Sequence, residues 1–260
     1  MIRKLLNNRN LLKNLVLRDL KNRYVGSMGG FLWSVIHPLV LLTSYTFVFS
    51  VVLKLKPGPE YGTDSFPIFL FCGMLPWLLF TDTVVRNCTS ITDNAHLVTK
   101  TVIPAEILPI SITISNVVHH LIGLTILLVV LGIFHEVHLS AFGILIYLPM
   151  LLMIAQGLGW MVASLHVFLR DTVQAVQILI FLWFCLTPIF YAPNMIPEEF
   201  QLVVRLNPLA VLVSGYRNSL LNAGQPSAAE IAPVLVTSIA VFVIGGLLFK
   251  RAKPAFPDVL

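Results

Sequence analysis

Apolar residues run along the chain in long blocks, and the charged positions fall between them. Stretches free of Asp, Glu, Lys and Arg cover residues 24–53, 65–81, 107–135, 137–169, 172–197 and 231–249. A helix needs about 20 residues to cross the hydrocarbon core of a bilayer, and a charge at its centre costs roughly 2.5–3.5 kcal/mol. Each stretch therefore predicts one crossing. The expected spans are 31–53, 65–88, 107–134, 142–168, 172–192 and 231–250, the second reaching past Asp82 toward Arg86 at headgroup level. The predicted fold is an all-α integral membrane protein with six transmembrane helices, a single domain over 1–260.

Three other segments carry patterns of their own. Residues 194–223 are apolar but broken by Pro197, Glu198, Glu199, Arg205, Asn207, Pro208 and Arg217, and the charge-free pieces 206–216 and 218–229 are too short to cross. Irregular backbone at membrane depth persists only inside protein or beside a water-filled cavity, which predicts a re-entrant pair of short helices between spans five and six. A surface-lying amphipathic loop is the alternative. In the segment 1–27, Leu12, Val16, Leu20 and Tyr24 recur every fourth residue with Leu15 beside them, while Lys13, Arg18 and Lys21 take the other face. This predicts an amphipathic interface helix along the headgroups, its cations near anionic lipid. In the loop 92–104, Asp93 or Asn94 is expected to cap a short helix that Pro104 stops. That helix reads either as a lever for a partner or as a connector.

Composition narrows the class. The 260 residues are 57% apolar and 11% charged, with a mean hydropathy of +0.88, whereas a soluble domain is about 45–50% apolar and about 25% charged. An ordinary water-soluble enzyme and a disordered chain are both excluded. The net charge of +5 does not point to nucleic acid, because the basic residues are confined to short stretches between apolar runs. It reads as a topology signal: thirteen Lys and Arg fall on one side of the expected spans and four on the other, which places both termini in the cytoplasm. Cys72, Cys88 and Cys185 are far apart and odd in number, so small buried side chains are expected rather than a disulfide or zinc framework.

Several chemistries find no residues. No Gly is followed by Lys, so the phosphate-cradling loop of an ATPase is missing. His135, Glu136 and His138 lack the spacing that puts two zinc ligands on one helix face. His119 and His120 are adjacent and should point about 100° apart on a helix, so they are not expected to face one site together, though one could line a cavity or bond across helices. No span carries a carboxylate near its middle, as ion-coupled transport requires, and no acid–histidine cluster is available for transferase chemistry. Asp171 beside Arg170 is expected to cap the fifth span and pair locally. Aromatic residues remain: Trp33, Tyr45, Phe49, Trp77, Phe80, Trp183 and Phe184 suit interface belts and packing. They equally suit a channel, because a flat ring lets the apolar face of a sugar slide past while offering few hydrogen bonds to trap it.

Six motifs then stand in order: RDLKNRYVGSMGGFLWSVIHPL (18–39), GMLPWLLF (73–80), NAHLVTKTVIPAEILP (94–109), FLRD (168–171), LTPIFY (186–191) and NPLAVLVSGYRNSLL (207–221). Together they resemble the permease subunits of type-2 ATP-binding-cassette exporters of O-antigen, teichoic acid and related cell-surface polysaccharides. The resemblance implies a permease without its own ATPase, homodimeric, in the bacterial inner (plasma) membrane. Two copies of a nucleotide-binding subunit would carry the ATP and Mg, leaving this chain with no cofactor. It implies a cargo of polyprenyl-diphosphate-linked polysaccharide moving along the dimer axis among membrane lipids, and no nucleic-acid partner. By the same resemblance Asp93, Asn94, Ala95, His96, Leu97, Val98 and Lys100 would form the coupling helix, and Arg18, Lys21, Arg23 and Tyr24 would meet the lipid diphosphate. Pro188, Tyr191, Met195, Asn207, Pro208, Tyr216 and Arg217 would belong to an outer gate. A drug- or lipid-exporting permease of the same superfamily, a membrane-embedded envelope enzyme and a stand-alone channel are the competing readings.

Overall fold

A computed structural model describes residues 8–23, 32–54, 57, 63, 65–100, 103–134, 138–191, 196–221, 223–224 and 227–260. Among these residues every regular element is helical. Helix α1 covers Arg9–Asn22; α2, Trp33–Tyr45, runs on as a π-helical stretch over Thr46–Val52; α3 is Phe66–Cys88 and α4 is Ala95–Lys100. Then follow α5 (Ile107–Phe134), α6 (Ile144–Phe168), α7 (Thr172–Cys185), α8 (Gln201–Leu206), α9 (Pro208–Leu221), α10 (Ala228–Ala252) and α11 (Phe256–Val259).

Four stretches, Phe66–Cys88, Ile107–Ile133, Leu139–Phe168 and Ala228–Val259, are long and apolar enough to cross a membrane. Two shorter apolar helices, Pro38–Val52 and Thr172–Cys185, lie within the first and fifth expected crossings and are below that length. Helix α3 is the central one: 78% of its apolar window is buried, against 17% for Ala228–Val259. It packs on α5, α6, α7 and α9, whereas α10 is held chiefly by α6 and α9 and turns most of its surface outward. An outward face of Val236, Val243, Ile244 and Leu247 is what hydrocarbon accepts without cost.

Local chemistry explains the helix ends. Ser65 is extended and Pro67 sits in the first turn of α3, where a missing N–H costs nothing. Ser227 and Glu230 close a capping box on α10, satisfying two of the free N–H groups of its first turn. The helix begun at Thr172 ends at Cys185, short of the expected 192, because Pro188 has no N–H to continue the ladder and pushes its predecessor out of the helical region. Asp171 does precede α7, yet it is exposed and makes no side-chain cap bond. No ion pair between it and Arg170 occurs among the described residues.

Other segments depart in detail from what the sequence led us to expect. In α1 Leu15 and Val16 are buried, with Leu15 in a cluster that includes Ile91, Ile107 and Phe256, so part of the apolar stripe faces protein. Asn94 does not cap the helix that follows it: its amide oxygen accepts from Arg18 and its nitrogen donates to the Ser90 carbonyl at 3.0 Å. Two short helices, α8 and α9, do occupy the segment expected to re-enter, broken at Asn207, with α8 exposed and α9 buried. Cys72 and Cys88 are buried as expected, but Cys185 is exposed. Tyr24, Met195, His135 and Glu136 lie outside the described residues.

Candidate functional site

Polar side chains gather at both ends of the central helix. At its carboxy-terminal end Arg86 Nη2 donates to Asp19 Oδ1 at 2.6 Å and Nη1 donates to Asn116 Oδ1 at 2.8 Å. Arg23 donates to the same Asn116 oxygen, and its Nε stands 3.7 Å from Asp19 Oδ2. Asn116 passes the network on, Nδ2 donating to Thr83 Oγ1 at 3.2 Å. Two guanidinium groups thus converge on the amide oxygen of Asn116, a residue only 2% exposed.

Of these groups Arg23, Arg86 and Asn116 line a cleft of about 460 Å³, with Trp33, Asp82, His119 and His120 around it and Phe71, Leu75 and Leu79 among its apolar lining. Such a volume falls in the range of roughly 300–1,000 Å³ that holds a small ligand or headgroup. Cationic donors beside an apolar lining suit an amphiphile with an anionic head, since charge-assisted bonds to guanidinium are the strong ones, and Asp82 adds a carboxylate to the same lining. Both histidines border the cleft, contrary to the expectation that neighbours on a helix cannot serve one site. A cleft this wide spans the 100° between them. Arg86 and Asn116 were missed from sequence; the available signal was Asn116, His119 and His120 at i, i+3 and i+4, one polar face inside an apolar run.

A second cleft, about 420 Å³, separates α1 from the segment leading into α4, with Arg18, Asp19, Arg86, Ser90, Asp93 and His96 on its walls. Arg18 bridges it to Asn94. Along α4, His96 and Lys100 are exposed, while Ala95, Leu97 and Val98 are half-buried, the last two against the cluster around Phe256. Lys21 is exposed and joins neither cleft.

At the opposite end of α3, helix α9 is fastened to the loop after α7. Asn207 accepts from Trp183 Nε1 at 2.9 Å and from the Leu209 N–H at 3.0 Å, and donates to Thr187 Oγ1 at 3.0 Å and the Leu186 carbonyl at 3.3 Å. An asparagine oxygen that accepts the N–H two residues on, followed by proline, starts a helix well. Arg217 is fully buried; Nε donates to the Phe69 carbonyl at 3.2 Å, Nη1 to Pro188 at 3.2 Å and Nη2 to Ile189 at 2.9 Å. Its guanidinium carbon lies 3.7 Å over the Phe69 ring. Tyr216 shares a 3.0 Å hydrogen bond with His120 Nε2, linking this end to the cleft. Tyr191 donates to the Cys185 carbonyl at 2.9 Å.

Six of the seven aromatics singled out by sequence form one ladder. Ring centroids lie 5.4 Å apart for Phe80–Trp183, 5.6 Å for Trp77–Phe80 and 5.3 Å for Trp77–Phe184. From Phe184 the ladder continues through Phe190 to Tyr45 and Phe49. Within it Trp77 and Phe80 are buried, whereas Tyr45, Phe49, Trp183 and Phe184 keep part of their surface. Trp33 stands apart at the cleft, 50% exposed.

Comparison with known proteins agrees along the whole chain. The ABC-2 type transporter family matches residues 10–221. An O-antigen export system permease protein of Myxococcus xanthus is 29% identical, the match covering 99% of this chain and 98% of that protein. A protein of the same description from Klebsiella pneumoniae is 31% identical over 94% of this chain and 92% of its own. A polysialic acid transport protein of Escherichia coli is 19% identical over 93% of each. With the multi-helix apolar bundle and the family match over most of its length, the chain belongs to the ABC-2 type transporter family.

Proposed function

We propose that this protein is the membrane subunit of an ATP-driven exporter of lipid-linked polysaccharide of the O-antigen kind. The end-to-end match to O-antigen export permeases carries the reading. The chain works as a homodimer in the bacterial inner membrane with both termini in the cytoplasm, and two copies of a separate subunit bind and hydrolyse ATP. The spans are the six expected from sequence, with α8 and α9 as the re-entrant pair.

The cleft gives the export cycle its starting point. Phosphate oxygens of a polyprenyl diphosphate exchange with Asn116 and Asp19 as acceptors for Arg23 and Arg86, with Arg18 and Lys21 drawing the headgroup in, and the isoprenoid stays in lipid. Closure of the ATPase pushes α4 through the exposed His96 and Lys100. Because α4 follows α3 after a short turn, the push runs along the central helix to the buried α9, which acts as the outer gate with Pro188, Tyr191, Asn207 and Pro208. Sugar then passes the exposed side of the aromatic ladder, where Trp77 and Phe80 hold Trp183 and Phe184 in place.

Purification of the gently solubilised protein tests the assembly: a stoichiometric ATPase subunit is expected to co-purify, and its absence from a well-folded preparation would move the reading to a channel or an enzyme. Two substitutions test the parts. Arg86→Gln is expected to lower export about tenfold or more, given the ~1.5–3 kcal/mol of a charge-assisted bond, with the ATPase subunit still bound; unchanged export removes the cleft from the mechanism. Replacing His96 and Leu97 together with Ala should leave ATP hydrolysis running while polymer accumulates inside, and normal export per ATP would take the partner away from α4.

A further inference from the structure

The carboxy-terminal segment has no part in the mechanism so far, and the family match ends before it, at residue 221. It is nevertheless built into the bundle. After α10 the chain turns through Lys253–Ala255 into α11, which packs on α4 and α6. Phe256 is fully buried, its ring 5.4 Å from Phe249 and 6.2 Å from Phe168. It belongs to the cluster that takes in Leu15 of α1 and the half-buried Leu97 and Val98 of α4. Lys253 Nζ donates to Glu106 Oε2 at 2.7 Å, the two side chains 30% and 16% exposed, just beyond the segment that leaves α4.

Helix α4 has six residues, well under the roughly 12–15 that an isolated helix needs in water to be even marginal. Its position therefore comes from its neighbours. One hold is Arg18 on Asn94, at the start of the helix. Leu97 and Val98, in its middle, pack against the cluster to which Phe256 belongs.

We propose that Lys253–Leu260 is a positioning element that locks the coupling helix Ala95–Lys100 to the bundle, so that force from the ATPase reaches α3 instead of being lost in movement of α4. This rests on the permease reading above. The ring of Phe256 holds the apolar side of α4, and the Lys253–Glu106 pair holds the exit from it. The tail touches no substrate; it acts through α4.

The test has one arm on the permease alone and one on the complex. With Cys185 replaced by Ser, a nitroxide at the exposed position Thr99→Cys reports the mobility of α4 in nanodiscs without any partner. Lys253→Glu, and separately a chain ending at Ala252, are expected to release the immobilised component of the spectrum, and Lys253→Glu with Glu106→Lys to restore it. In the complex, polymer exported per ATP should fall about threefold to fivefold for Lys253→Glu, the scale of a partly exposed ion pair, and further for the shortened chain. Basal ATP hydrolysis should hold, and the charge swap should recover most of the loss. An unchanged spectrum in both variants overturns the positioning role. A mobilised label with unchanged export per ATP overturns its place in coupling. If the shortened chain does not fold, the charge pair and its swap decide alone. Failure of the permease reading shows separately, as no ATPase subunit with the unmodified protein, and leaves the nitroxide arm standing.

Discussion

Arg217→Met is expected to abolish export and to lower the melting temperature of the detergent-purified protein by many degrees. The guanidinium is fully buried and holds three carbonyls, those of Phe69, Pro188 and Ile189. Pro188 and Ile189 lie where α7 has already ended, so neither belongs to a regular helix. Each buried carbonyl left without a donor costs about 1–3 kcal/mol, and stacking over Phe69 adds about 1–2 kcal/mol. Methionine fills much of the volume and removes the cost of burying a charge, which offsets part of the loss; a net of roughly 3 kcal/mol remains, from the carbonyl terms. Arg217→Lys should recover only a fraction, because a single ammonium cannot reproduce a planar fork aimed at three acceptors. The site also has no slack: a Cβ at Gly73 would run into Arg217 Nη2, so Gly73→Ala should reproduce a milder form of the same defect. Wild-type melting and export by Arg217→Met would mean that α9 is held without the Arg217 bonds.

The second large effect concerns the seam between α6 and α10. A Cβ at Gly157 would stand 2.5 Å from the Val241 carbonyl oxygen, and one at Gly245 would meet the Gly157 carbonyl. Backbone faces backbone there, so no side chain can swing aside. In lipid no hydrophobic force draws helices together and close packing supplies the attraction. Gly157→Val is therefore expected to unseat α10, at a cost of several kcal/mol, above the ~1–3 kcal/mol of ordinary overpacking. It should appear as aggregation on size-exclusion chromatography and rapid proteolysis. Gly246→Ala is the control, since its Cβ would lie 3.5 Å from the Trp160 ring, an ordinary contact. Equal behaviour of the two variants would remove close approach as the cause.

Legibility followed the range of the interactions. The apolar stretches, a helix within 1–27, now seen over Arg9–Asn22, and the short helix within 92–104 were readable because each depends on neighbours within a few turns. Arg217 was read as a residue that interrupts a span and is in fact the fastening of α9. Asp171 was read as a cap, as was either Asp93 or Asn94; Asp171 makes no cap bond, and the oxygen of Asn94 is taken by a residue 76 positions away. His119 and His120 were judged as a pair in isolation, and Asn116 and Arg86, which complete their wall, were not considered with them.

By itself the sequence determined that the chain is a multi-pass membrane protein and that it holds no phosphate-cradling loop. These follow from transfer free energy and charge, which add up locally along the chain. Only the tertiary structure decided which helix is central, that Arg23 and Arg86 share Asn116, that α9 is held by Arg217, and that the tail reaches α4. In a bundle whose helices are apolar toward lipid and toward one another, periodicity carries little sense of direction. Direction comes instead from close contacts between distant residues, such as Gly157 against Gly245, and those exist only once the chain is packed.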